Sequence, residues 1–499
     1  MAITAAGALW LRDYFNLREH QITHKSYIGS REHIELAANG DVIQTFGPKY
    51  APEADSPMAH LEFALKYDDL SLDFYHAVFE KIDASQLVAF IHSRPSGKYT
   101  RKIGFLYEWL TNRDVELSLP ASGNYVDLLE EGKYITGKVI KNARWRINDN
   151  LLGDRDFCPI IRKTTALQQA LNLDLTAEIE RLKTEYSAQI FHRAAQYLYR
   201  KETKSSYEIE RESPPTDRMD RFITLLGKAG TVPADQTLSE AYLTVLQNAI
   251  VDERFAVPKY RDFQNYIGQT TLQYGEIYHY ICPPPDLVTS MMSGLRETER
   301  KSEGNHAILR AAMIAFGFVF IHPFEDGNGR LHRFLIHDIL ARDGVVQKGL
   351  IIPVSARMIH RIQDYDAALE TYSKPLMRRV RYQSSSDGQV SITNTSEVEA
   401  YFRYPDLTYQ CVYLSKVISE AISLDMSDEL SFLQKYDELK ATIQNRIDMP
   451  DRYLNQLIIF LHQNRGVFPN RRKSSFPKLY EEEFSLIEQI YKEIFLPQS

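Results

Sequence analysis

The rhythm of apolar positions changes most sharply at residue 306. From Ala307 to Ile321 the chain reads AILRAAMIAFGFVFI. Ile308, Ala312, Ala315 and Val319 recur at three- and four-residue steps, while Met313, Ile314, Phe316 and Phe320 cover other sides. A helix apolar all round belongs in a core. At about 15 residues it is short for a membrane span, and it runs into a charged loop. Pro323 disfavours α conformation in the residue before it and stops the helix at His322. A second helix is predicted from Arg330 to Asp343, with Leu331, Phe334, Leu335 and Ile339 as its apolar stripe and Asp343-Gly344 as its stop.

The same reading predicts helices at Leu70 to Lys81, Ile103 to Leu110, Thr165 to Lys201, Leu238 to Val251 and Ile351 to Met377, with Leu287 to Glu299 leading into the buried helix. Near-alternation over Tyr134 to Asn148 predicts strands. Tyr260 to Cys282, rich in Tyr, Ile and Thr, predicts a short hairpin with Gly268 and Gly275 as turn points, closed by three prolines. Val380 to Ile392, alternating around Ser-Asp-Gly, predicts another. Glu397 to Phe495 reads as helical. The expected fold is mainly α: a mixed α+β region over 1–164, a helical core over 165–382 and a helical domain over 393–499. A basic cluster in the last, Arg465, Arg471, Arg472, Lys473 and Lys478, lies near Gly466 and Pro469 and suits either the wing of a winged helix or a solvated loop. Arg94, Lys98, Arg101 and Lys102 read as a solvated patch.

Between the two central helices lies His322 to Arg333, HPFEDGNGRLHR. Gly327 and Gly329 permit positive φ and close approach by a ligand. A glycine turn opening a helix leaves free N–H groups at the positive end of the dipole, an anion site best suited to phosphate. Arg330 and Arg333 share a face and add charge-assisted bonds to phosphate oxygens. Asp326 is the natural ligand for Mg²⁺, a hard cation held by one or two carboxylates plus phosphates. His322 can act as a base near neutral pH.

Composition narrows the field. The 499 residues carry a net charge of −7, so no overall electrostatic argument favours nucleic acid. Cys158, Cys282 and Cys411 are too far apart in sequence for a disulfide framework or a zinc knuckle, and a reduced cytoplasmic setting is expected. The N-terminus lacks the pattern of a signal peptide, and no long apolar run implies a membrane span. GxxxxGK[ST] and HExxH are absent, which argues against P-loop hydrolysis and zinc chemistry.

His322 to Arg333 match the motif HPFx[D/E]GNGRxxR at every specified position, and here the sequence resembles the Fic family. The resemblance implies a helical fold that transfers AMP from ATP to a Ser, Thr or Tyr hydroxyl of a target protein. By motif position, His322 would deprotonate the hydroxyl and Asp326 would hold Mg²⁺. Phe324 would anchor the loop, Gly327, Asn328 and Gly329 would cradle the phosphates, and Arg330 and Arg333 would hold the β/γ end of ATP. The hairpin at 260–282 would be a flap on which the target backbone docks as an added strand.

Many members of the family carry an inhibitory helix with the pattern [S/T]xxxE[G/N]. Ser206 to Glu210 match its first five positions, and Arg211 stands where Gly or Asn is usual. Glu210 would then occupy Arg333, on a short helix near 204–212 that Ser205 or Ser206 could cap. Thr176 to Glu180 fit the same spacing less well. Residues 1–164 resemble N-terminal segments of some bacterial members. Two other functions stay open: removal of AMP at the same site, and a DNA-binding regulator with a nucleotide-sensing core. The sequence also leaves a homo-oligomer open.

Overall fold

Ala307–Ile321 forms a helix, and every residue in it from Ile308 onward is buried. That includes Arg310, whose guanidinium is matched by Glu299 at 2.8 Å and by Asp343. A buried cation needs such partners. In the computed structural model the described residues are 3–496, apart from 38, 117–120, 271–275, 348 and 386–387. The buried helix packs against Asn328–Arg342, Pro285–Lys301 and Thr408–Glu420. The last contact redraws the expected organisation. Val398, Phe402, Leu414, Ile418 and Leu430 share one core with Phe316 and Leu335, so the division expected between 382 and 393 does not separate two cores. A separate small core begins at Leu439 and runs to Tyr491.

The N-terminal region is mixed α+β. Thr4–Ala6, His24–Ile28, Val42–Phe46 and His33–Leu36 form one sheet in that spatial order, with the middle pair parallel. The strands expected within 134–148 are Ile140–Asn142 and Ile147–Asp149, joined by Val126–Asp127 in a second small sheet. The expected helices appear as Leu72–Lys81 and Lys98–Thr111. Arg101 and Lys102 are not solvated. Both are buried; Arg101 donates to the carbonyls of Asn124 and Arg146, and Lys102 donates to that of Leu128. Desolvation brings the Lys102 ammonium down to about 8. Asp73 ties this region to the core through a bidentate pair with Arg379, at 2.6 and 3.1 Å.

Two hairpins stand beside the core. Tyr266–Thr270 pairs antiparallel with Glu276–Ile281, with a bulge at Ile267/Gly268. Gly268 therefore lies inside a strand, not at the turn; a Cβ there would come within 2.7 Å of the Ile277 carbonyl oxygen. Gly275 lies outside the described residues. The second hairpin pairs Tyr382–Ser384 with Val390–Ile392, and Ser386 and Asp387 of its tip also lie outside them. Tyr278 joins the two, its ring 5.2 Å from that of Tyr382.

Among the described residues no strand follows Ile392, so the C-terminal region has no wing. The basic segment instead holds a short helix, Asn470–Lys473, between Phe468 and Phe476, which turn inward and meet at 5.5 Å. Arg472 lies over the Phe460 ring and Lys473 pairs with Glu481. No helix among the described residues is long and apolar enough to cross a membrane.

Candidate active site

His322 ends the buried helix in a left-handed conformation, φ 54° and ψ 59°, and its amide donates to the Phe318 carbonyl at 2.9 Å. Such a conformation in a non-glycine residue is held only by its surroundings. The imidazole Nδ1 lies 3.1 Å from the Val319 carbonyl oxygen. A carbonyl only accepts, so Nδ1 carries the proton and Nε2 keeps its lone pair. Burial is the main cause that lowers the imidazole to about 4, and the Arg261 charge adds to it against the Val319 bond, Glu210 and Asp326. At neutral pH this side chain is uncharged and able to take a proton.

The loop that follows is latched from inside. Phe324 is fully buried with its ring 5.3 Å from that of Tyr260. The Asn328 side chain accepts from the Phe324 amide at 3.0 Å and donates to the Phe324 carbonyl at 2.9 Å. Its amide group thus shapes the loop, leaving main-chain N–H groups as what Asn328 can offer a ligand. Gly327 begins the second helix at φ 88°. Asp326 Oδ1 accepts from the Gly327 amide at 2.5 Å and from Arg330 Nη2 at 2.6 Å.

Both arginines are buried and both meet an acidic chain segment. Arg333 Nη2 donates to Glu210 Oε1 at 2.7 Å and to the Ser206 carbonyl at 2.7 Å, and Nε donates to Ser206 Oγ at 2.8 Å. Burial disfavours the Arg333 cation, but Glu210 more than offsets this. The Glu210 carboxylate presses on the turn itself: a Cβ on Gly329 would fall 2.0 Å from Glu210 Oε1. Glu212, unmarked in the sequence reading, holds Arg330 with contacts of 2.9 and 3.1 Å. Tyr207 lies under the same guanidinium at 5.2 Å.

The segment is not the short capped helix expected. It is the end of a 22-residue helix, Ala188–Ile209, whose N-cap is Ser187. Ser206 sits in the last turn, where it receives Arg333 instead of capping. Glu210 is the C-cap residue and Arg211 is left-handed at φ 58°. The Arg211 amide donates to Glu208 and the Glu212 amide to Tyr207, both at 3.0 Å. These are the two bonds of a Schellman motif, whose left-handed position favours Gly or Asn. That accounts physically for the last place of the pattern, and Arg211 fills it under strain. The rival Glu180 instead pairs with Lys183 within its own helix.

Among the described residues, Arg330 Nε and Arg333 Nη1 are buried without a hydrogen-bond partner. Unpaired cationic donors beside a glycine turn suit phosphate oxygens. For Mg²⁺ the fit is a single partly exposed carboxylate, Asp326; among the described residues no three His, Cys, Asp or Glu side chains gather to hold a metal. Mg²⁺ bound with a polyphosphate needs no such cage. Sequence reasoning also missed Arg261 and Gln247. Gln247 Nε2 donates to the Asp326 carbonyl at 3.2 Å from the helix Glu240–Ile250. No local pattern marks either.

Fold and site together define a helical domain in which a buried helix delivers a histidine to the edge of a glycine turn flanked by buried arginines. Residues 237–340 match the Fic/DOC family model, so this stretch of the chain carries a Fic domain. Similar solved structures include a Fic family protein from Desulfovibrio desulfuricans G20, at 17% identity and TM-score 0.38 over 60% of this chain and 87% of that one. A Fic domain containing signaling protein from Bacteroides thetaiotaomicron VPI-5482 aligns at 16% identity and TM-score 0.33, over 52% of this chain and 96% of that one.

Proposed function

We propose that this protein transfers AMP from ATP to a hydroxyl of a target protein, and that the helix end carrying Glu210 holds the reaction off. The reading rests on one observation above others: a neutral histidine with its proton on Nδ1 stands beside buried arginines that a carboxylate occupies. Nε2 of His322 takes the proton from the target hydroxyl, and the hydroxyl oxygen bonds to the α-phosphorus. The bond from that phosphorus to the bridging oxygen breaks, and pyrophosphate leaves. Main-chain N–H groups at Gly327 to Gly329, with Arg330 and Arg333, bind the polyphosphate and fix it in line; positioning and charge neutralisation carry most of such a rate. Asp326 would hold Mg²⁺, which supplies charge neutralisation between the phosphates. In the arrangement described, Asp326 Oδ1 and Arg330 bond each other, so binding exchanges that pair for ligand contacts.

The flap would dock the target as an added strand. The proposal needs no DNA, and two charges of the C-terminal basic cluster already face Phe460 and Glu481.

Purified Glu210→Gly protein incubated with Mg²⁺ and ATP should gain one AMP moiety by mass spectrometry. Adding His322→Ala should lower that labelling by about 10² to 10⁴-fold, the usual contribution of a general base, with ATP binding retained. Labelling that survives loss of His322 would overturn the mechanism. Loss of AMP from a modified target in Mg²⁺ without ATP would instead support the reverse reaction.

A further inference from the structure

Arg261 is a buried cation for which no carboxylate lies within ion-pair reach among the described residues. Among the described residues its guanidinium donates only to main-chain carbonyls: His322 from Nε at 2.8 Å, Phe263 from Nη1 at 2.8 Å, and Pro283 and Ile321 from Nη2 at 2.7 and 3.3 Å. Its own amide donates to the Pro323 carbonyl at 2.9 Å. Burial lowers its pKa, and the nearby Cys282 and Tyr280 only partly resist this.

These four carbonyls come from two places that matter together. Ile321 and His322 close the buried helix, where carbonyls lack intrahelical donors and the dipole is negative. That environment explains how a cation survives here without a carboxylate. Phe263 lies just before the strand Tyr266–Thr270, and Pro283 lies just after Glu276–Ile281. One planar fork therefore holds both roots of the flap against the backbone of the base.

Neighbouring contacts point the same way. Asn265 Nδ2 donates to the Phe324 and Glu325 carbonyls at 3.1 and 3.2 Å. Tyr280 donates from its hydroxyl to the Phe320 carbonyl. In contrast, Arg261 makes no bond to Asp326, the Gly327–Gly329 turn, Arg330 or Arg333.

We infer that Arg261 is a positioning residue for the acceptor: it fixes the register of the flap relative to His322, so that a target strand docked on the flap brings its hydroxyl to Nε2. The inference rests on the AMP-transfer reading above. It assigns Arg261 to the acceptor side of the reaction and not to the nucleotide side. Lysine cannot replace it fully, because one ammonium does not span carbonyls on both sides of a fork.

The test uses full-length Glu210→Gly protein carrying Arg261, Arg261→Lys or Arg261→Gln. The acceptor is an excess of the His322→Ala chain, labelled in trans with α-³²P ATP. Arg261→Lys should lower kcat by about tenfold or more, as expected of misplaced reactants. Its KM for ATP and its calorimetric Kd for ATP should stay within about threefold. Arg261→Gln should lose more, and hydrogen exchange should quicken at 263–270, 276–282 and 321–325 in both variants.

A kcat within about twofold of the parent, or a KM for ATP that rises while kcat holds, overturns the assignment. Should Arg261→Gln fail to fold, Arg261→Lys decides. If the Glu210→Gly parent labels nothing, the AMP-transfer reading falls. The exchange rates then decide separately whether Arg261 holds the flap to His322: unchanged protection in these segments would reject it.

Discussion

Replacing Glu210 by glycine removes the carboxylate bond to Arg333 and leaves its two bonds to Ser206. A hydrogen bond to a charged group contributes about 1.5–3 kcal/mol. Arg333 is buried, but the Glu210 side chain is 33% exposed, so solvent screens part of the attraction. About 2 kcal/mol is a fair working value, and at 1.4 kcal/mol per tenfold it corresponds to about 30-fold. A full reversal of a switch from 1:99 to 99:1 needs about 5.5 kcal/mol. The variant should therefore be strongly activated yet still restrained, because Glu212 continues to hold Arg330. The assay is initial labelling with α-³²P ATP well below saturation, with Glu208→Ala as control, since Glu208 is exposed on the same helix end. A Glu210→Gly rate within about twofold of the parent would refute the reasoning. So would an equal rise in Glu208→Ala, which would implicate the helix end in general and not the contact with Arg333.

Arg211→Gly should relieve a left-handed residue, strengthen the helix end by about 0.5–1 kcal/mol and lower basal labelling, as read by thermal unfolding and the same assay. In the nucleotide-free protein the His322 imidazole should stay neutral as pH falls until about pH 4, followed by NMR with His322→Gln for assignment. Its lowered pKa means that the base is present above that value and lost below it, so protonation near pH 6.5 would contradict the site described. Burial raises the Asp73 carboxyl, but Arg379 and His20 outweigh it and hold it well below its ordinary value. Asp73→Ala should cost about 3–5 kcal/mol by leaving Arg379 buried without its partner, measured by denaturant unfolding; a loss below about 1 kcal/mol, the range of a surface pair, would show the pair to be unimportant.

The motif was legible because it concentrates unusual residues after an unbroken apolar run, and the buried helix, the turn and both arginines stand where that run put them. Less was legible where a partner lies far away in sequence. Arg101, Lys102 and Arg261 resemble surface cations until the carbonyls that receive them are known. Ser206 was ambiguous for a local reason: a serine followed by a glutamate suits a helix start, yet here it ends one. The uninterrupted stretch from Ala188 to Ile209, without Gly or Pro, was the available sign. The division near 382–393 failed because the hairpin there punctuates the chain without dividing the apolar core.

Glu202, one turn before Ser206 on the long helix, is buried against His337 and Ser355. The rod is thus pinned just short of its tip, while Glu210 and Glu212 lie beyond the pin. Unwinding only the final turn would withdraw both carboxylates from their arginines and leave the remaining turns docked. On the proposed reading, release means fraying an end, with Tyr207 drawn away from the Ile250 carbonyl, and not moving a whole helix out of the protein.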